Sequence, residues 1–263
     1  MTQLIPTAEP FFFPGQPGQP GCLLVHGFTG APKEMRWMGE YLNRQHGFHC
    51  LGVRLAGHAT RPDDMVRSRY TDWIASVEDG YHLLCGVTDR IYLVGLSMGG
   101  MLCLLSSTRL AVEGVVTMST PYQLRTDYPA WLLQAMSLFV PFMPKSKEKP
   151  GESWYDKAAY AEHVSYPQNP IRSAAELQKL GVEMRAALPK VDVPVLLMHS
   201  KNDTYVPPDS MERIYAGLGA SDKTKIYLTG SGHVVPRDAA REQAFAAAAD
   251  FIHRVEQQTG ASA

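Results

Sequence analysis

Short, almost continuous apolar runs alternate along the chain with stretches whose apolar residues recur every three or four positions. "CLLVHG" (22–27) reads as a buried strand, and 32–45 as a helix with Met35, Met38 and Leu42 on one face. "HCLGVRLAG" (49–57) predicts a second strand, followed over 71–86 by a helix striped with Trp73, Val77, Tyr81 and Leu84. "RIYLVGLS" (90–97) predicts a third strand that runs straight into "MGGMLCLLSS", a helix apolar almost all round and therefore buried. "GVVTMST" (114–120), "VPVLLMHS" (193–200) and "KTKIYLTG" (223–230) predict three more strands, the last two separated by a helix near 207–218. A closing helix is expected from about Asp238, read as its N-cap, with Phe245, Ala249, Ile252 and Val255 turned inward.

Strands that are apolar throughout and separated by helices belong to a parallel sheet covered on both faces, because each crossover packs a helix back onto the sheet. The expected fold class is α/β, a mostly parallel, doubly wound sheet. One interval breaks the rhythm: from Pro121 to about Val191 the chain is richer in Pro, Tyr and Trp, with helical pieces but no convincing strand. It reads as an insertion over the strand ends. The expected division is a core made of residues 1–120 and 191–263 and a small helical cap at 121–190. "FFFPGQPGQPG" (11–21) reads as a Pro/Gly-rich leading segment.

The 263 residues are 45% hydrophobic and 19% charged with a formal net charge of -1, an ordinary globular balance. That excludes a general electrostatic affinity for nucleic acid or for anionic membranes. The greasiest stretch, "WLLQAMSLFVPFM" (131–143), is broken by Gln134, Ser137 and Pro141 and falls well short of the roughly 20 residues that span a bilayer, so no stable membrane insertion is expected. No basic start leads into an apolar core near the N-terminus, which argues against a secretory leader. Cys22, Cys50, Cys85 and Cys103 lie in apolar runs without paired C-x-x-C spacing, as buried free thiols do, and a cytoplasmic location is expected. No metal or cofactor is expected; monomer and dimer both remain open.

The chemistry concentrates at "GLSMG", Gly95 to Gly99, a G-x-S-x-G string placed where a strand ends and a helix begins. A sharp turn there lifts the Ser97 hydroxyl off the sheet, and small flanking residues relieve the crowding. A helix N-terminus beneath the serine favours developing negative charge. Serine becomes a nucleophile only when a base takes its proton and a carboxylate orients that base. Of nine histidines, His233 in "GSGHVVP" sits in a glycine-flanked loop between the last strand and the closing helix, at the same sheet edge as Ser97. His199 ends a strand and approaches that edge too, but its neighbour Asp203, in "HSKNDTYVPP", is the better-placed acid. Asp192 and Asp222 precede their strands and belong to the opposite edge. His46, His82 and His253 fall on helices, His163 in the insertion, and His49 and His58 flank the second strand; structural or solvated roles are expected for all of these. The order Ser97, Asp203, His233 follows the nucleophile, acid, base order of α/β-hydrolases. Two backbone N–H groups are expected to receive the oxyanion, that of Met98 after the nucleophile and that of Phe28 in "HGFTG". His26 then braces this loop rather than moving a proton. Because the base must be neutral, activity is expected to fall as pH drops through roughly 6–7.

"LLVHGFTG", "RLAGHATRPDDM", "GLSMGG", "PVLLMHSKNDTYVPP" and "GSGHVV", in this order and spacing, resemble the bacterial carboxylesterases and thermostable monoacylglycerol lipases of the α/β-hydrolase superfamily. The resemblance covers nearly the whole chain from Cys22 onward. It implies an α/β-hydrolase fold with a trimmed N-terminal hairpin. It also implies a serine hydrolase with its triad at Ser97, Asp203 and His233, acting on short to medium acyl esters and monoacylglycerols. The implied cap is lined by apolar residues that receive an acyl or alcohol chain, with Trp131, Leu132, Leu133, Met136, Leu138, Phe139, Phe142 and Met143 as a lid face or as packing onto the core. "RLAGHAT" departs from the Arg-Gly-His-Gly turn of many relatives, so His58 reads as structural. Serine rather than aspartate at position 97 excludes haloalkane dehalogenase and epoxide hydrolase chemistry. A thioesterase or a carbon–carbon bond hydrolase would use the same triad, and a non-catalytic binding module on this fold usually lacks one of its members.

Overall fold

The computed structural model describes residues 3–124, 128–145 and 153–260. Its strands are β1 (Phe11–Phe13), β2 (Gly21–Val25), β3 (His49–Val53), β4 (Ile91–Leu96), β5 (Gly114–Met118), β6 (Phe142–Pro144), β7 (Gln168–Pro170), β8 (Val195–Ser200) and β9 (Lys223–Leu228). Among the described residues, one sheet takes the order β1-β3-β2-β4-β5-β8-β9. It is parallel throughout except at β1, which pairs antiparallel with β3.

Helices α1 (Lys33–His46) and α9 (Arg241–Gly260) cover one face; α3 (Tyr70–Cys85), α4 (Met98–Ser106), α7 (Ile171–Ala187) and α8 (Asp209–Gly217) cover the other. Side chains alternate across the strands, so β2, β3, β4, β5 and β8 each feed two cores. Leu23, Val25 and Leu93 pack with Trp73, Leu102 and Met184; Cys22, Leu24 and Val94 pack with Met38, Phe245 and Ile252. Every residue of α4 is buried, as its almost wholly apolar sequence requires.

The strand order has a consequence for function. From β2 the chain steps outward to β3 and then returns to β4 on the other side of β2. The loops leaving β2 and β4 therefore diverge to opposite faces and open a crevice at the carboxyl ends of the strands, where α/β proteins hold their ligands.

Several elements depart from the periodicity reading. β1 lies inside the Pro/Gly-rich leading segment, where three phenylalanines are too few to show a period. Its place is held by packing: Phe11 lies where a Cβ on Gly39 or Gly52 would stand. A short helix, α2 (Pro62–Arg67), follows β3. The interval 121–190 contains α5 (Ala130–Met136) and α6 (Lys157–Ala161) and, against expectation, a small antiparallel pair of β6 with β7, both carrying proline. Its last helix, α7, packs on α3 and α4 and returns the chain to β8, while α5 packs on α7. Asp238 is not the cap of the closing helix, which starts at Arg241; its carboxylate is taken up by other backbone groups. Cys85 is exposed rather than buried, being the last residue of α3, whereas Cys22, Cys50 and Cys103 are buried free thiols. Among the described residues no helix is long and apolar enough to cross a membrane.

Candidate active site

Ser97 sits between β4 and α4 with φ 54° and ψ -117°, a conformation that a residue bearing a Cβ adopts only under strain, at a cost of about 1–3 kcal/mol. The surroundings leave no alternative. A Cβ on Gly95 would run into the Gly99 backbone, one on Gly99 into the Val25 carbonyl, and one on Gly100 into the Thr120 hydroxyl. The G-x-S-x-G string is thus a steric requirement of this turn. The Ser97 N–H is held by the Met118 carbonyl at 2.8 Å, which anchors the elbow to β5.

The Ser97 hydroxyl lies 3.0 Å from His233 Nε2, and the His233 Nδ1–H donates to Asp203 Oδ2 at 2.8 Å. The Asp203 and His233 loops are interlocked: the Ser200 hydroxyl donates to the Ser231 carbonyl at 2.5 Å, and the Gly230 N–H to Asn202 Oδ1 at 3.0 Å. Asp203 Oδ1 accepts the N–H groups of Tyr205 and Val206 at 2.8 and 2.9 Å. His199, whose ring is buried, places Nε2 3.2 Å from Asp203 Oδ2 and 3.1 Å from the Val206 carbonyl; both neighbours are acceptors, so Nε2 carries the proton. Burial acts to raise the Asp203 carboxyl, but His233 beside it and the donors from His199, His233 and Val206 prevail and hold it well below the usual carboxylate range. The Tyr205 ring stacks on His233 with centroids 5.5 Å apart. His199 and Tyr205 carry no motif that singles them out; their roles come from packing.

The loop after β2 is held from all sides. Leu55 N–H donates to His26 Nε2 at 3.2 Å, so Nδ1 carries the proton and donates to the Gly27 carbonyl at 2.9 Å. Gly27 N–H goes to the buried Glu34 carboxylate at 2.8 Å, Gly30 N–H to the Gly27 carbonyl at 3.2 Å, and Tyr166 N–H to the Thr29 carbonyl at 2.9 Å. Glu34 also fills the space a Cβ on Gly30 would need. The Phe28 ring packs edge-on against Trp73. His58 is buried against His26 and Trp73 and shares a hydrogen bond with the Ala56 carbonyl through Nδ1. His46 and His253 pair with each other at 2.9 Å, and His49 accepts the Gly15 N–H at 3.0 Å. Asp222 lies at the opposite sheet edge and pairs with Arg254.

Burial, aided by Arg54 and opposed by the Gly27 carbonyl, pushes the His26 imidazole down to about 4 from an ordinary 6.5. The unfolded chain therefore binds a proton at His26 between those values and the folded chain does not, so stability falls as pH is lowered through this window. The gap, at about 1.4 kcal/mol per pH unit, amounts to about 3 kcal/mol. His26→Gln should accordingly lose less stability than wild type between pH 7 and 4.5 in urea titrations; equal losses would show that His26 does not set this dependence.

A parallel sheet with a strained serine at its switch point, a histidine on the serine and a carboxylate on the histidine defines the α/β-hydrolase class of protein. The sequence profile of the Alpha/beta hydrolase family matches residues 22–248, and the chain belongs to this family. It is 34% identical over 232 residues to the thermostable monoacylglycerol lipase of Bacillus sp. (strain H-257), covering 88% of each chain. It is 28% identical over 254 residues to a carboxylesterase of Bacillus subtilis (strain 168), covering 95% of this chain and 98% of that one. Among solved structures it is similar to one from LipS and LipT, two metagenome-derived lipolytic enzymes, with a TM-score of 0.86, 28% identity and coverage of 96% of this chain and 100% of the other.

Proposed function

We propose that this protein hydrolyses carboxylic esters, short to medium acyl esters and monoacylglycerols, through an acyl-enzyme on Ser97. The observation that carries the reading is the continuous relay from the Ser97 hydroxyl through both nitrogens of His233 to Asp203. The names of the two Bacillus relatives support the substrate class. His233 takes the serine proton as Oγ attacks the ester carbonyl, then delivers it to the departing alcohol; water activated by the same nitrogen releases the acid. Asp203 keeps the proton on Nδ1 and stabilises the imidazolium, and His199 helps to hold the carboxylate ionised. The Phe28 and Met98 N–H groups receive the oxyanion. Of the other N–H groups of the 27–30 loop, those of Gly27 and Gly30 are already taken by the Glu34 carboxylate and the Gly27 carbonyl. A donor of this kind contributes about 3–4 kcal/mol to the transition state.

The interval 121–190 serves as the cap in this reading, rooted in the core through α7, and the core comprises 1–120 and 191–263. Of the apolar residues expected to form a lid face, Leu133 is buried against Ile171 and Ala175, while Trp131, Leu138, Phe139 and Met143 are exposed. With these side chains turned to solvent, they do not line the interior. Turnover of p-nitrophenyl esters, monoglycerides and acyl-CoA compared side by side tests the substrate class. The esters and monoglycerides are expected to be cleaved efficiently; cleavage of acyl-CoA alone would replace the reading by a thioesterase.

A further inference from the structure

We propose that Asp238 is a positioning residue that joins the His233 loop to the 153–163 segment and, through that segment, to the oxyanion loop; the inference rests on the Ser97, His233, Asp203 reading above. Asp238 is fully buried. Its Oδ2 accepts the Gly232 N–H at 2.6 Å, and its Oδ1 accepts the N–H groups of Tyr155, Asp156 and Ala239 at 2.9, 2.7 and 2.8 Å. One carboxylate thus gathers three separate stretches of backbone. A buried carboxylate is tolerated when its lone pairs are filled in this way, and removing it would strand the donors that fill them.

The bond to Gly232 fixes the peptide next to His233. The same place is closed sterically, because the Ser153 carbonyl occupies the position a Cβ on Gly232 would take. Asp156 then caps α6 through the Ala159 N–H at 3.0 Å and pairs with Arg241 at 2.6 Å, and Arg241 also reaches the Asp238 carbonyl at 3.3 Å. These contacts make a closed ring of the base loop, the 153–156 stretch and the start of α9.

The brace continues toward the second catalytic loop. Trp154, buried beside Asp238's partners, packs on the His163 ring with centroids 5.0 Å apart. His163 Nε2 lies 3.8 Å from Glu34, the same carboxylate that holds the Gly27 N–H at 2.8 Å. The base loop and the oxyanion loop are therefore backed by one continuous segment of the interval 121–190. That segment forms a wall behind both loops, and Asp238, beside the Asp156–Arg241 pair, attaches it to the core.

Asp238→Asn tests the proposal, because an amide of the same shape presents N–H groups to N–H donors on one side. With a p-nitrophenyl ester, kcat is expected to fall about 10- to 100-fold with KM unchanged, the size of effect that a small misplacement of a catalytic group produces. The rate at which a fluorophosphonate probe labels Ser97 should fall by the same factor. A lower unfolding midpoint with wild-type kcat and wild-type labelling in the folded protein would overturn the proposal. In the wild type, hydrogen exchange provides a readout independent of the variant's folding: the Tyr155, Asp156 and Gly232 amides should be protected and exchange together, and free exchange at any of them would break the ring. Failure of the probe to label wild-type Ser97 would instead overturn the catalytic reading, whatever the amides do.

Discussion

Ser97→Ala is expected to lower ester turnover by about 10⁴- to 10⁶-fold and to abolish fluorophosphonate labelling, while leaving the fold intact. The size of the effect follows from the relay: without Oγ no acyl-enzyme forms, and His233 has no proton to take. The fold should survive because nothing structural depends on that hydroxyl. The elbow is held by the Ser97 N–H on the Met118 carbonyl at 2.8 Å, and by glycines at 95, 99 and 100 that alanine at 97 does not disturb. Alanine bears the same Cβ as serine, so the strain at φ 54° is retained and stability should change by no more than about 0.5 kcal/mol. Labelling or substantial turnover in the variant would remove Ser97 from the mechanism.

Replacing His233 by Gln is expected to have a comparable effect on turnover, about 10⁴-fold or more, again in a folded protein. Its ring is only partly buried and touches the reacting groups through two hydrogen bonds, so glutamine fits the space but cannot accept and return a proton. His26→Gln provides the contrast. His26 is fully buried and bonds Leu55 N–H on one nitrogen and the Gly27 carbonyl on the other. Glutamine keeps one of these bonds at best, the loop carrying Phe28 shifts, and kcat should fall about 10- to 100-fold through a weakened oxyanion site. Steady-state kinetics on both variants, with circular dichroism to check the fold, separates the two roles. Equal and total loss in both would mean that His26 takes part in proton transfer.

Local information sufficed wherever the physical requirement is itself local. Unbroken apolar runs such as 91–96 are buried strands because both faces of a parallel sheet are covered. The almost wholly apolar 98–106 is a buried helix for the same reason. Ser97 between glycines is legible because one tight turn demands it, and Asp203 and His233 because each follows a strand of its own at the same edge. What is absent from any window of the sequence is whatever depends on residues far apart in the chain. β1 exists because Phe11 meets the bare faces of Gly39 and Gly52, and β6 pairs with a strand beginning at Gln168. His199 ranks below Asp203 as a candidate until folding brings its Nε2 to the carboxylate that orients His233. Asp238 looks like a helix cap by its position before α9, yet its carboxylate serves amides at 155, 156 and 232. Hydrophobic periodicity and turn chemistry reach only a few residues along the chain, so the sequence by itself determined the parallel strands, the elbow and the three candidate groups that meet at one sheet edge. Buried polar groups must find partners wherever the fold supplies them, and for that reason only the tertiary structure decided which side chains hold those three in place.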